Sequence, residues 1–159
     1  MAGKPDSVPE RAMASLNAAV NRMENRTEVH LRPHHLLCIQ KFTGHGYDAA
    51  FTAFMTALTG LLRSQPQTRI TLVQGADDLC AHCPHLCGGV CDAAKKTAAL
   101  DAAVLQACKL APDTADTWQT LSVCAYSIIL QSQEFHKICA RCQWYALCKI
   151  TEVLKNDTN

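Results

Sequence analysis

Eight cysteines gather in three short stretches, and thiols at these spacings read as metal ligands. Cys80-Ala-His-Cys83-Pro-His-Leu-Cys87-Gly-Gly-Val-Cys91 holds four thiols and two imidazoles within twelve residues. Cys139-Ala-Arg-Cys142-Gln-Trp-Tyr-Ala-Leu-Cys148 is a second knot, and Cys38 follows a histidine pair in Arg32-Pro33-His34-His35-Leu36-Leu37-Cys38. Thiolate is soft and charged, and Cys-x-x-Cys lets one turn of chain present two of them to one ion or cluster. Folding is expected to bring the three stretches together around metal.

Several metals suit this set. One tetrahedral zinc needs four ligands, which Cys80, Cys83, Cys139 and Cys142 would supply. That leaves Cys38, Cys87, Cys91 and Cys148 unused beside them, and surplus thiols favour a larger inorganic core. An iron–sulfur cluster accepts spacings such as x2, x3, x3 and x2, x5, although the ferredoxin run Cys-x2-Cys-x2-Cys-x3-Cys-Pro is missing. The near-cluster thiols suffice for two cubanes, or for one cluster and one zinc. Cys83, Cys87 and Cys91 would form a Cu(I) ladder on an unbroken helix, which Gly88-Gly89 disfavours. A thioredoxin-type redox pair needs a βαβ context and few other thiols. With thiols in such supply, His82 and His85 read as outer-shell or surface groups. Trp144 and Tyr145 read as walls of the second knot, and Arg141 as a donor to its sulfurs. Cys108 and Cys124 lie on apolar helical faces and read as buried structural cysteines.

Composition narrows the setting. The chain has 159 residues, 48% hydrophobic and 18% charged, which describes one globular domain. Lys and Arg number 15 against 14 Asp and Glu, so no basic excess points to nucleic acid or an anionic membrane. No apolar run approaches a membrane span. The first ten residues lack the apolar core of a secretory signal, and Asp6, Glu10 and Glu24 disfavour a transit peptide. A cytoplasmic protein is therefore expected, and ten cysteines in a reducing compartment read as metal ligands before disulfides.

The elements that must position these thiols are expected to be mostly helical. Residues 8 to 25 read as a narrow, alanine-rich helix on Ala12, Leu16, Ala19, Val20 and Met23, within an N-terminal extension (1–26) to a single cysteine-rich domain (27–155). Val29 and Leu31 alternate in a short strand, and Pro33 suits the first turn of a following helix. There either His34 or His35 can share a face with Cys38. With Arg32 alongside, that helix start is also a natural anion site. The competing reading makes Leu36 to Ile39 a buried stripe with Cys38 as a small hydrophobe. Gly44 and Gly46 mark a loop. Asp48 caps a helix reaching Ser64 on Phe51, Phe54, Met55, Leu58, Leu61 and Leu62, the broadest apolar face in the chain. Residues 69 to 73 alternate as a second strand, paired in parallel with the first. Asp77 and Asp78 read as caps, with proton carriage near a metal as the alternative. Helices follow over 92 to 110, from a Thr114 or Asp116 cap to 130, from Ser132 to Cys139, and to 154. The fold class expected is α+β, mostly helical, with a few short strands and cysteine-rich loops around a metal site.

Taken together, Leu31-Arg-Pro-His-His-Leu-Leu-Cys38-Ile-Gln, the Phe42…Gly44-x-Gly46-Tyr47 loop, Val73-x-Gly75-Ala-Asp-Asp78-x-Cys80-x-x-Cys83-Pro84 and Ile138-Cys139-x-x-Cys142-x-Trp144-Tyr145-x-Leu-Cys148 resemble the uncharacterised cysteine-rich domain family numbered 1284, of bacteria and archaea. The resemblance runs from about Glu28 to Cys148. It implies Cys38, Cys80, Cys83, Cys91, Cys139, Cys142 and Cys148 as site residues, with His34 and His35, and departs at Cys87. Seven such cysteines are one short of two fully thiolate-ligated clusters, so the eighth position falls to Cys87, a histidine or an open iron. An open iron would admit chemistry, with Arg32, His34 and His35 binding an anion or moving protons. The expectation is an iron–sulfur protein of [4Fe-4S] type in one or two copies, serving electron transfer, cluster or sulfur handling, or open-cluster catalysis, with a redox or cluster-transfer partner. The alternatives are a zinc-stabilised binding module without catalysis and, behind it, a Cu(I) or thiol-redox protein.

Overall fold

A computed structural model describes residues 28–44, 48–83, 86–87, 90–91, 94–140, 142 and 145–149. The helix expected over 8–25, the loop at 45–47, Pro84 with His85, Gly88-Gly89, Arg141, Trp144 and the tail beyond 149 lie outside the described residues.

The centre is a three-stranded sheet in the order β1 (Glu28–Leu31), β2 (Arg69–Leu72), β5 (Ala115–Thr117). β1 and β2 are parallel, with Val29 opposite Ile70 and Leu31 opposite Leu72. These four side chains are fully buried on one face, because the two-residue period of a strand puts alternate residues on the same side. A parallel pair needs a helical crossover, supplied here by α1 (His35–Lys41) and α2 (Ala49–Ser64). Asp48 caps α2 by accepting the Phe51 N–H at 2.7 Å. Phe54, Met55, Leu58, Leu61 and Leu62 bury the inner face of α2 in the same core.

β5 runs antiparallel to β2, with Asp116 opposite Ile70. The sequence reading had Thr114 or Asp116 capping a helix at this point. Residues 115–117 instead complete the sheet edge, and Thr117 caps α4 (Trp118–Ala125), its hydroxyl accepting the Thr120 N–H. β-propensity is low in Ala-Asp-Thr, so pairing with a formed neighbour decides the conformation. α4 does not run smoothly to residue 130, because a π-helical turn occupies Tyr126–Leu130.

Around the cysteines the elements are short. A 3-10 turn, Cys80–His82, precedes a two-rung hairpin of β3 (Leu86–Cys87) and β4 (Val90–Cys91), in which Leu86 pairs with Cys91 and Cys87 with Val90. α3 (Ala94–Cys108) follows, ended by Lys109 in the left-handed region at φ 55°. α5 (Glu134–Cys139) and the single turn α6 (Tyr145–Cys148) frame the second knot. The architecture is α+β and mostly helical.

Leu58 is fully buried between the sheet and the helices. Leu58→Ala is expected to lower stability by about 2–5 kcal/mol, measured by urea unfolding, because the rigid sheet behind it cannot collapse into the cavity.

Candidate thiol-lined centre

The site forms at the carboxyl ends of the parallel strands, where the chain leaves β1 into Arg32-Pro33-His34-His35 and leaves β2 into residues 73–80. The two exits are tied by backbone, Val73 N–H to Leu31 O at 2.9 Å and Asp78 N–H to His30 O at 3.2 Å. This brings Asp77 under the start of α1. Its Oδ2 accepts the Arg32 N–H at 2.6 Å and the His35 Nδ1 proton at 2.5 Å, while Oδ1 accepts the Cys80 N–H at 2.9 Å. Asp77 therefore accepts the first N–H of the 3-10 turn and also orients a histidine.

A second carboxylate arrives from α3. Asp101 receives Nε and Nη2 of Arg32, both at 2.8 Å, and from His34 the backbone N–H at 3.2 Å and Nδ1 at 2.5 Å. The anion seated at this helix start is thus the chain's own Asp101. Arg32, only 4% exposed, is occupied in holding it.

Burial alone would raise both carboxyls, but their partners win. His35 and the bonded backbone amides hold Asp77 far below the usual carboxylate range, and His34 with Arg32 lowers Asp101. Ionised carboxylates only accept hydrogen bonds, so the proton on each bond to a histidine sits on Nδ1. His34 is pushed down to about 4, first by burial and then by His35, whose ring centroid is 4.3 Å away, against the pull of Asp101. At neutral pH it is an uncharged imidazole with its lone pair on Nε2. Carboxylate-to-Nδ1 pairing is also the arrangement that orients histidines at metal sites.

Both histidines border a cavity of about 180 Å³ that is also bordered by Cys38, Cys139, Cys142 and Cys148. Cys38 comes from α1, Cys139 from the end of α5 and Cys148 from α6, with Cys142 between the last two. Leu37, Phe51, Met55, Leu100 and Phe135 give the cavity apolar walls. Lys41 lies over the Phe135 ring at 4.7 Å, and Tyr145 closes one side with its hydroxyl 2.5 Å from His136 Nδ1. Gln40 donates to the Ser122 carbonyl at 3.0 Å, fixing α1 against α4.

Burial pushes the Cys38 thiol well up, and Cys142, Cys139 and Cys148 add to it. Cys139 is pushed up to about 12 by burial and then by Cys142 and Cys148, with Lys41 pulling the other way. Cys148 rises for the same reasons. These groups cannot ionise together unless positive charge enters among them. The donor set and the apolar walls fit a compact, thiolate-binding cationic group. Among the described residues no three His, Cys, Asp or Glu side chains stand as ligands of one ion would; the four thiols border a cavity.

The first knot is placed differently. Cys80 is buried beside Asp77 and Arg32, and burial followed by Asp77 pushes its thiol up to about 12. Cys83 ends the 3-10 turn, and Cys87 and Cys91 fall on adjacent rungs of the β3–β4 hairpin, whose β3 strand lies next to that turn. Of the other predicted groups, Cys108 is buried on α3 and Cys124 on α4 is half-buried and hydrogen-bonded to it. Sequence reasoning missed Asp101 and Lys41. Asp101 had a signal, an acidic residue three before Val104 and seven before Cys108 on an apolar stripe.

The model of a family described as "Protein of unknown function (DUF1284)" matches residues 46–148. This chain belongs to that family. The matched span includes both knots and Asp101, and it begins after Arg32, His34, His35 and Cys38. No curated protein and no solved structure matches the chain.

The depressed His34 fixes a pH dependence. An imidazole held below its ordinary 6.5 adds stability that is present above that value and lost as pH falls towards about 4. Urea midpoints of the metal-free chain are expected to drop between pH 6.5 and 4. His34→Gln should start lower and stay nearly flat across that window.

Proposed function

We propose that this protein binds an iron–sulfur cluster of [4Fe-4S] type in the cavity bordered by Cys38, Cys139, Cys142 and Cys148, and that it works in electron transfer. One observation carries the reading: thiols from two distant stretches of chain border a single cavity of about 180 Å³. Pockets for organic ligands run to roughly 300–1,000 Å³. A smaller space walled by four soft donors suits a compact inorganic group.

When bound, such a cluster supplies a one-electron couple. The chain's own residues do the rest. Four thiols complete a ligand set without drawing on His34 or His35, which favours electron storage over catalysis at an open iron. Leu37, Met55 and Phe135 keep water out, which protects the cluster and tunes its potential. Lys41 places a positive charge near Cys139 and Cys148, offsetting part of the thiolate charge. His34 and His35 are held in fixed orientation beside the cavity by Asp101 and Asp77.

Cys80, Cys83, Cys87 and Cys91 offer a second four-thiol set within twelve residues, for a second cluster or a zinc. A reducing, cytoplasmic setting suits all eight thiols. Among the described residues no helix is long and apolar enough to cross a membrane.

Protein purified without oxygen is expected to hold iron and acid-labile sulfide in equal amounts, roughly four of each per occupied set. Cys38→Ser should lose one set's iron and sulfide, and Cys124→Ser should lose none. About one zinc with no sulfide would support the zinc-stabilised module instead.

A further inference from the structure

We propose that an open groove along α3 and α5 docks an acidic electron-carrier protein against the thiol cavity; this rests on the cluster reading above. The groove encloses about 1220 Å³, larger than most small-molecule pockets. Ala103, Ala107 and Ile128 form its apolar floor, and Ile128 is 39% exposed. Lys95, Lys96 and Lys137 stand on its rim. An apolar centre inside a charged rim is the anatomy of a transient protein interface.

The charge names the kind of partner. The whole chain carries a net charge of only +1, yet the groove's described lining has three lysines against one carboxylate, Glu134, which Lys137 already engages at 3.1 Å. A partner that covers the floor must bring carboxylates to meet Lys95 and Lys96. Such complementarity speeds association more than it deepens affinity.

Position names the partner's work. Lys96 and Leu100 border both the groove and the thiol cavity. On α5, Lys137 and Ile138 line the groove and the next residue, Cys139, lines the cavity. A protein seated in the groove therefore shares the wall formed by Lys96 and Leu100 with the thiol cavity. One electron leaves the reduced carrier and is taken up at the thiol-held cluster; no covalent bond forms or breaks, and no proton transfer is required.

The test uses the anaerobically purified, iron-loaded protein and, as probe, a reduced low-potential [2Fe–2S] ferredoxin with an acidic surface. Stopped-flow bleaching of the loaded protein should be fast and slow steeply as salt rises from roughly 20 to 300 mM, the span over which screening sets in. The combined K95E and K137E variant, which leaves the cavity-lining Lys96 in place, should associate roughly tenfold or more slowly at low salt and lose that salt dependence. Dithionite, which needs no docking, should bleach wild type and variant alike. Equal ferredoxin rates for wild type and variant, or no ferredoxin reaction where dithionite succeeds, would overturn the docking surface while leaving the cluster reading intact. Failure of dithionite with no iron or sulfide present would overturn both. A sedimentation change in the variant alone would mean that a second copy of this chain fills the groove, which also overturns the proposal.

Discussion

Two buried carboxylates hold the centre together. Asp101 grips Arg32 and His34, Asp77 grips His35 and the Arg32 amide, and between them they immobilise the turn that starts α1. Each carboxylate lies in a different part of the chain from the turn it holds, one after β2 and one on α3. Removing Asp101 would leave the buried Arg32 guanidinium unpaired, a loss of about 3–5 kcal/mol in comparable sites. Because Cys38 lies one helical turn beyond His34, fixing the turn also fixes where that thiol points relative to the second knot. The network thus links sheet, helix and site.

The electrostatics of the cavity follow from what surrounds it. Apolar walls and mutual repulsion keep the Cys38, Cys139 and Cys148 thiols protonated when no cation is near. The same features strengthen any thiolate–metal bond, since attraction grows as water is excluded. Metal uptake must then release protons and become tighter as pH rises. Lys41, over the Phe135 ring, offsets part of the repulsion.

Much of the fold was legible in the residues. Val29, Leu31, Ile70 and Leu72 alternate as strands and pair in parallel, and Asp48 caps α2 as its position before an apolar helix implies. β5 was illegible because Ala115-Asp116-Thr117 has no strand pattern of its own and becomes a strand only beside β2. At the site, the thiols and the histidine pair stand out by type and spacing. Their partners do not, because Asp77 and Asp101 reach the Arg32–His35 turn only through tertiary packing. Spacing also could not divide the cysteines: Cys38 borders one cavity with the distant Cys139, Cys142 and Cys148, while Cys80 lies against Asp77.

That division is the central claim, and thiol footprinting tests it most directly. Loaded protein would be treated anaerobically with an alkylating reagent, before and after stepwise chelation of iron, and each cysteine followed by mass spectrometry. Cys38, Cys139, Cys142 and Cys148 are expected to be protected together and to become reactive in one step. Release of Cys139 and Cys142 together with Cys80 and Cys83, with Cys38 reactive throughout, would contradict it.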